Sequence, residues 1–147
     1  MKKKIWFGFV VVYAFTQLAD AAIHQFILDQ DYKTLADLWR PESELKLWLF
    51  PLLGLSFSFC FSLLFSKAYR GGGMAEGARY GFVVSMMIVL PQSFADYAVL
   101  SIPLTLALKS FLLTSTEYTL AGLLLARVFD ALPEFGPQHQ PPPVSEN

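Results

Sequence analysis

Cysteine and histidine are scarce in this chain, and that scarcity excludes several kinds of site. The single cysteine, Cys60, rules out an intramolecular disulfide, a cysteine-based zinc site and a dithiol redox centre within one chain. We interpret it as a small apolar filler rather than a catalytic thiol. Of the two histidines, His24 lies in an apolar segment and His139 in a polar one. One chain therefore cannot hold a haem between two intramembrane histidines.

The chain also lacks the features that nucleic-acid and nucleotide binding require. Its formal net charge is -1, and its basic residues form no stripe that could follow a phosphate backbone. The glycine run 71–73 is not followed by the Lys-Ser/Thr pair of a P-loop, so it predicts a flexible turn. The residues present predict no cofactor and no metal site.

Apolar residues are what the chain has in excess. They make up 54% of its 147 residues, 14 of them are phenylalanines, and the mean hydropathy is +0.45. Soluble domains normally carry less. Four segments reach the length of about 20 residues that a helix needs to cross a bilayer. They are residues 5–27, 47–65, 80–100 and 104–129. The sequence therefore predicts an all-α membrane protein whose residues 1–129 form a bundle of four transmembrane helices.

The distribution of charge predicts how the four segments are oriented. The basic residues near their ends are Lys2, Lys3, Lys4, Lys67, Arg70, Arg79 and Arg127. The connection 29–46 is mainly acidic, and the connection 101–103 carries no charge. Because cytoplasmic loops are enriched in Lys and Arg, we expect both termini in the cytoplasm, with the protein in a bacterial inner membrane. Residues 130–147, which are rich in proline, predict a disordered cytoplasmic tail.

The first segment also fits a second interpretation, a secretory signal peptide cleaved after Ala21. Three lysines precede an apolar run, and Ala19, Asp20 and Ala21 form an A-x-A arrangement. Against cleavage, the apolar character resumes in residues 22–28 and gives a full spanning length. Cleavage would leave three spans and would remove Asp20.

Small residues recur at every fourth position in the second and third segments. The first stripe consists of Gly54, Ser58, Ser62 and Ser66, and the second of Gly73, Gly77, Gly81 and Ser85. Stripes of this kind let helix backbones approach closely in a membrane. Because a short loop makes the two helices antiparallel neighbours, we expect the stripes to meet in a tight hairpin. The alternative is that one stripe forms the seam of a homodimer.

Ionisable residues inside the apolar segments are the candidate site, because each charged group at mid-bilayer costs roughly 2.5 to 3.5 kcal/mol. The candidate ligand- or proton-binding residues are Asp20, His24, Gln92, Asp96, Lys109 and Glu117. Counting helical rise from the segment ends places Asp20, His24, Asp96 and Lys109 in one layer of the outer half. We expect a salt bridge between Lys109 and Asp96. Glu117 falls nearer the midplane, apart from that layer, and is expected to be protonated there.

The outer connection predicts a short amphipathic helix that lies on the membrane surface. Tyr32, Leu35, Leu38 and Trp39 follow helical spacing, and Pro41 ends the pattern. Such a helix serves either as an interfacial anchor or as a lid over the polar layer.

The sequence favours an accessory or interaction subunit and leaves a transporter as the alternative. Buried polar pairs that fix helix register predict an accessory or interaction subunit, whose partners are the lipid bilayer and other membrane subunits or a second copy of the chain. An acid, a histidine and a lysine open to the outer face predict a small proton- or ion-coupled transporter. A third hypothesis, an enzyme acting on a lipid or quinone, ranks below both because the chain has no recognisable nucleophile or metal triad.

Overall fold

The computed structural model describes residues 2–35, 38 and 44–132, and every regular element in this part is helical. The helices are α1 (Lys2–Ala22), α2 (Asp29–Lys33), α3 (Leu49–Ala68), α4 (Gly73–Val99) and α5 (Leu104–Ala131). A π-helical turn, Ile23–Ile27, continues α1 toward α2. The prediction of an all-α fold is confirmed for these residues.

Two predicted features lie wholly or partly outside the described residues. Of the predicted surface helix, α2 covers Tyr32, whereas Trp39 and Pro41 are not described. Of the predicted tail, the described part ends at Leu132. The surface helix beyond α2 and the disordered tail therefore stay predictions.

Three of the helices are long and apolar enough to cross a membrane, namely Lys3–Ile27, Leu49–Ala68 and Gly73–Val99. They correspond to the first three predicted segments. The third begins at Gly73, several residues before its predicted start at residue 80. The added turns are stabilised by Glu76, whose carboxylate accepts N–H bonds from Arg70 at 2.9 Å and Gly72 at 2.7 Å.

α5 is not among these three helices, and it nevertheless lies at the centre of the bundle. It packs along α4 on one side and against α1 on another, while α1 also packs along α3. Its buried residues are Leu106, Ala107, Ser115, Glu117, Ala121, Gly122, Leu125, Ala126, Val128 and Phe129. Because so much of its surface faces protein, α5 tolerates polar side chains that a lipid-facing helix would not.

Contacts between distant residues define the two ends of the bundle. At the proximal end, Lys4 Nζ donates to the carbonyl oxygen of Phe129 at 2.8 Å, and the Tyr69 hydroxyl donates to Asp130. This end joins the start of α1, the α3–α4 turn and the end of α5. The distal end holds α2 and the connection 100–103 between α4 and α5.

An aromatic core packs the proximal half of the bundle. Phe61 and Phe65 of α3 and Leu125 and Phe129 of α5 are almost completely buried. The rings of Phe65 and Phe129 meet edge to face with centroids 5.2 Å apart. The phenylalanines of the second predicted segment therefore split between core positions and exposed positions such as Phe59.

α4 and α5 approach each other closely because glycines face each other across their interface. Gly77 and Gly81 of α4 lie against Gly122 and the backbone of Tyr118 on α5. A Cβ atom added at Gly81 would overlap the carbonyl oxygen of Tyr118, and one added at Gly122 would overlap that of Gly77. The two backbones therefore pack directly, which replaces lipid contact with dense van der Waals contact.

The expectation that the α3 and α4 stripes meet each other is wrong. The α4 stripe faces α5, and the α3 stripe faces α1. Gly54 lies against the side chain of Gln17, and Ser62, which is fully buried like Ser58, lies near Gly8 of α1. A short loop makes α3 and α4 neighbours in sequence, but close packing also needs small residues on the partner helix. Gly8 of α1 and Gly122 of α5 provide them.

α3 and α4 contact each other through a large side chain instead of through glycines. The Tyr80 hydroxyl donates to the carbonyl oxygen of Phe61 at 2.8 Å. Its ring packs against Phe61 and Phe65 with centroids 4.8 and 5.1 Å apart. Gly73, the first residue of the predicted stripe, has a φ of 63° and begins α4 directly after the α3–α4 turn.

We expect Gly81→Val to destabilise the bundle by about 3 kcal/mol, because the added side chain overlaps the α5 backbone. The matched control is Ala95→Val, at an exposed position of the same helix, which should change stability by less than about 0.5 kcal/mol. Unfolding of the purified protein in detergent micelles, followed by circular dichroism, measures both. Equal stability of the two variants would contradict the close approach of α4 and α5.

Candidate functional site

An ion pair joins α2 to α5 at the distal end. Lys109 Nζ contacts the two carboxylate oxygens of Asp31 at 2.8 and 3.1 Å. The predicted salt bridge between Lys109 and Asp96 is therefore wrong. Asp96 instead accepts a hydrogen bond from the amide of Gln92, one turn earlier in α4, at 2.9 Å. The pairing was missed because α2 returns over α5 and brings in an acid from the connection.

The π-helical turn after α1 places His24 beside Tyr32 of α2. The Leu28 N–H donates to the Ile23 carbonyl at 2.9 Å, which closes a π-type turn. His24 Nδ1 and the Tyr32 hydroxyl are 2.7 Å apart, and the two rings stack with centroids 5.8 Å apart. Burial and the nearby Asp31 raise the pKa of Tyr32 to about 12, so its phenol stays neutral at physiological pH. Turns of this type occur frequently at functional sites.

A cavity of about 260 Å³ lies between the π-helical turn, α4 and α5 in the distal half of the bundle. The polar part of its wall consists of His24, Gln92, Ser93, Asp96, Ser110 and Thr114. Tyr32 and Tyr118 border the same space, and aliphatic side chains complete the wall. The volume is below that of most drug-sized ligand pockets and suits a few waters, an ion or a small polar molecule.

A pair of acids lies deeper in the bundle, between α1 and α5. The carboxyl groups of Asp20 and Glu117 are within hydrogen-bonding reach of each other. Glu117 is only 3% exposed, and neither of its carboxylate oxygens meets a hydrogen-bond donor in the described part of the chain. The prediction that Glu117 lies apart from Asp20 is therefore wrong. Depth counted from helix ends assumes that all helices end at one level, and it takes no account of how α1 and α5 pack against each other.

The predicted site residues thus divide into three groups. His24, Gln92 and Asp96 line the cavity, whereas Asp20 and Glu117 form the deeper acid pair and Lys109 joins Asp31 at the distal surface. Sequence reasoning missed the α5 side of the cavity. The sequence pattern that could have revealed this side is a set of residues spaced by four, which lie on one face of α5. They are Leu106, Ser110, Thr114 and Tyr118.

Within residues 2–35, 38 and 44–132, no three side chains of His, Cys, Asp or Glu come together as a group that could hold a metal ion. Comparison with known proteins finds no matching family, no matching curated protein and no matching solved structure.

We expect a double-mutant cycle of Asp31→Asn and Lys109→Gln to give a coupling energy of about 0.5 to 1 kcal/mol, because the pair is partly exposed. High salt should reduce the coupling through screening. The matched control is the cycle of Asp96→Asn with Lys109→Gln, which should be additive. A larger coupling of Lys109 with Asp96 than with Asp31, measured by unfolding in micelles, would contradict this assignment.

Proposed function

We propose that this chain is a small multi-pass protein of a bacterial inner membrane, whose four long helices all cross the bilayer with both termini in the cytoplasm. The support for the fourth crossing is the central position of α5, which packs between α1 and α4 and buries its polar residues Ser115 and Glu117. The support for the orientation is the proximal end, where Lys4, Lys67, Arg70 and Arg127 gather and predict the cytoplasmic side.

Cysteine accessibility in whole cells tests this orientation. In a Cys60→Ala background, Ser101→Cys in the α4–α5 connection should react with a membrane-impermeant maleimide in spheroplasts. Ala68→Cys at the end of α3 should react only after lysis, because it lies at the proximal end. Both positions are exposed. Labelling of both positions in intact spheroplasts, or of neither, would contradict four crossings.

We further propose that the distal cavity handles a proton or a small cation that enters from the outer side. The observation that carries this proposal is that one small cavity holds both the imidazole of His24 and the carboxylate of Asp96. An imidazole takes up and releases protons in the physiological range, and a carboxylate attracts cations. Ionisable groups inside a membrane often mark such paths. This is the transporter hypothesis, in which the chain couples to an ion.

One observation favours the second candidate, an accessory subunit. Gln92 is exposed on α4 next to the partly buried Asp96, and Lys109 exposes 52% of its side chain. Polar groups on the lateral surface of a membrane bundle are costly against lipid. Another membrane subunit, or a second copy of this chain, that covers this face would satisfy them. The polar cavity is then part of an interface that fixes register.

Proton flux into liposomes that contain the full chain separates the two candidates. We expect His24→Ala and Asp96→Asn each to lower the flux by at least about tenfold, because each removes a proton-binding group from the cavity. Asp29→Asn, which removes a distal acid paired with Lys33 and absent from the cavity wall, is the matched control and should leave the flux unchanged. Unchanged flux in all three variants, together with lower stability of the two cavity variants, would support the accessory subunit instead.

A further inference from the structure

The deep acid pair, Asp20 and Glu117, is a second polar feature, and neither residue lines the distal cavity. Asp20 of α1 and Glu117 of α5 bring two carboxyl groups together between adjacent helices. Asp20 is half-buried, and Glu117 is almost completely buried with both oxygens lacking a donor in the part of the chain that the structure describes. A buried carboxylate normally accepts hydrogen bonds or faces a cation.

Chemistry restricts how two such carboxyl groups can coexist. Two ionised carboxylates cannot bond to each other, because each offers only acceptors. In a low-dielectric interior, two neighbouring carboxylates also repel each other strongly. A single proton removes one charge, turns one carboxyl group into a donor and leaves the other as its acceptor, as in other carboxylate pairs that share a proton.

The charged and titratable groups around the pair favour a proton over a permanent counter-ion. In the described part of the chain, His24 of the π-helical turn acts electrostatically on Asp20, and both acids act electrostatically on Tyr118 of α5. The one lysine of α5, Lys109, is bound to Asp31 at the distal end. No lysine or arginine forms a described ion pair with Asp20 or Glu117.

Two residues that line the cavity are close in sequence to the acid pair. His24 lies one turn after Asp20, and Tyr118 follows Glu117 in α5. His24 is therefore a group that both lines the cavity and acts electrostatically on Asp20.

We infer that Asp20 and Glu117 hold one exchangeable proton between them and that His24 delivers it from the distal cavity. The inference rests on the proposed function and deepens it, because it names the proton as the ion and the acid pair as its binding site. Asp96 then serves as the acid at the entrance, and the pair is the inner end of the path.

Infrared spectroscopy of the full chain in lipid vesicles tests the shared proton. A protonated carboxyl group gives a C=O stretching band that an ionised one lacks. We expect such a band at neutral pH in the wild type, its loss in Glu117→Gln, and its retention in the control Glu76→Gln, whose carboxylate binds the N–H groups of Arg70 and Gly72. Glu117→Asp keeps an acid at the site and should retain a shifted band, which separates loss of the proton from loss of the fold.

Exchange into D2O tests delivery. The band should shift on deuteration, and His24→Ala should slow that shift by about a hundredfold without removing the band, because a positioned proton carrier is lost. An unchanged exchange rate would overturn the role of His24. Absence of the band in the wild type, or its loss when sodium chloride replaces choline chloride at equal ionic strength, would overturn the shared proton.

The spectroscopic and transport experiments test the shared proton and the proposed transport separately. A band that shifts on deuteration, in a protein without proton flux, would refute the proposed transport and leave the shared proton in place. Proton flux without the band would support the cavity as the path and refute the acid pair as its binding site.

Discussion

The close packing of α4 against α5 is the interaction on which the rest of the structure depends. Gly77 and Gly81 meet Gly122 and the Tyr118 backbone at a distance that leaves no room for a Cβ atom. This contact holds α5 inside the bundle, where α1 covers its opposite side. The distal cavity lies beyond the glycine contact along α4, where its wall starts at Ile88.

A central α5 also resolves a conflict in the composition of the chain. α5 carries Lys109, Glu117 and Arg127, and it is not among the helices that are apolar enough to cross a membrane by composition alone. Burial of Glu117 against other helices removes the cost of exposing this group to lipid, but it adds a cost if its charge stays unpaired. Lys109 is paired with Asp31 at the distal end. Glu117 faces a second acid, Asp20, and the shared proton proposed above removes one of their two charges.

Much of the candidate site could be predicted from residue type, and its pairings could not. Rare polar residues in apolar segments predicted His24, Gln92 and Asp96 as site residues, and all three line the cavity. Helical spacing placed residues on faces, but it could not say which helix each face meets. The prediction that Lys109 binds Asp96 and the prediction that the α3 and α4 stripes meet are both wrong, because each assumed that neighbours in sequence are partners in space.

Length and apolar composition act locally along the chain, so the sequence alone was enough to predict the helices, three membrane-capable spans and the rare polar residues inside them. The central position of α5, the pairing of Lys109 with Asp31 of α2 and the approach of Asp20 to Glu117 follow only from the packing of the helices. These contacts depend on how small residues, bulky side chains and helix ends on different helices fit together. That fit is a property of pairs of helices and is not contained in the pattern of any one of them.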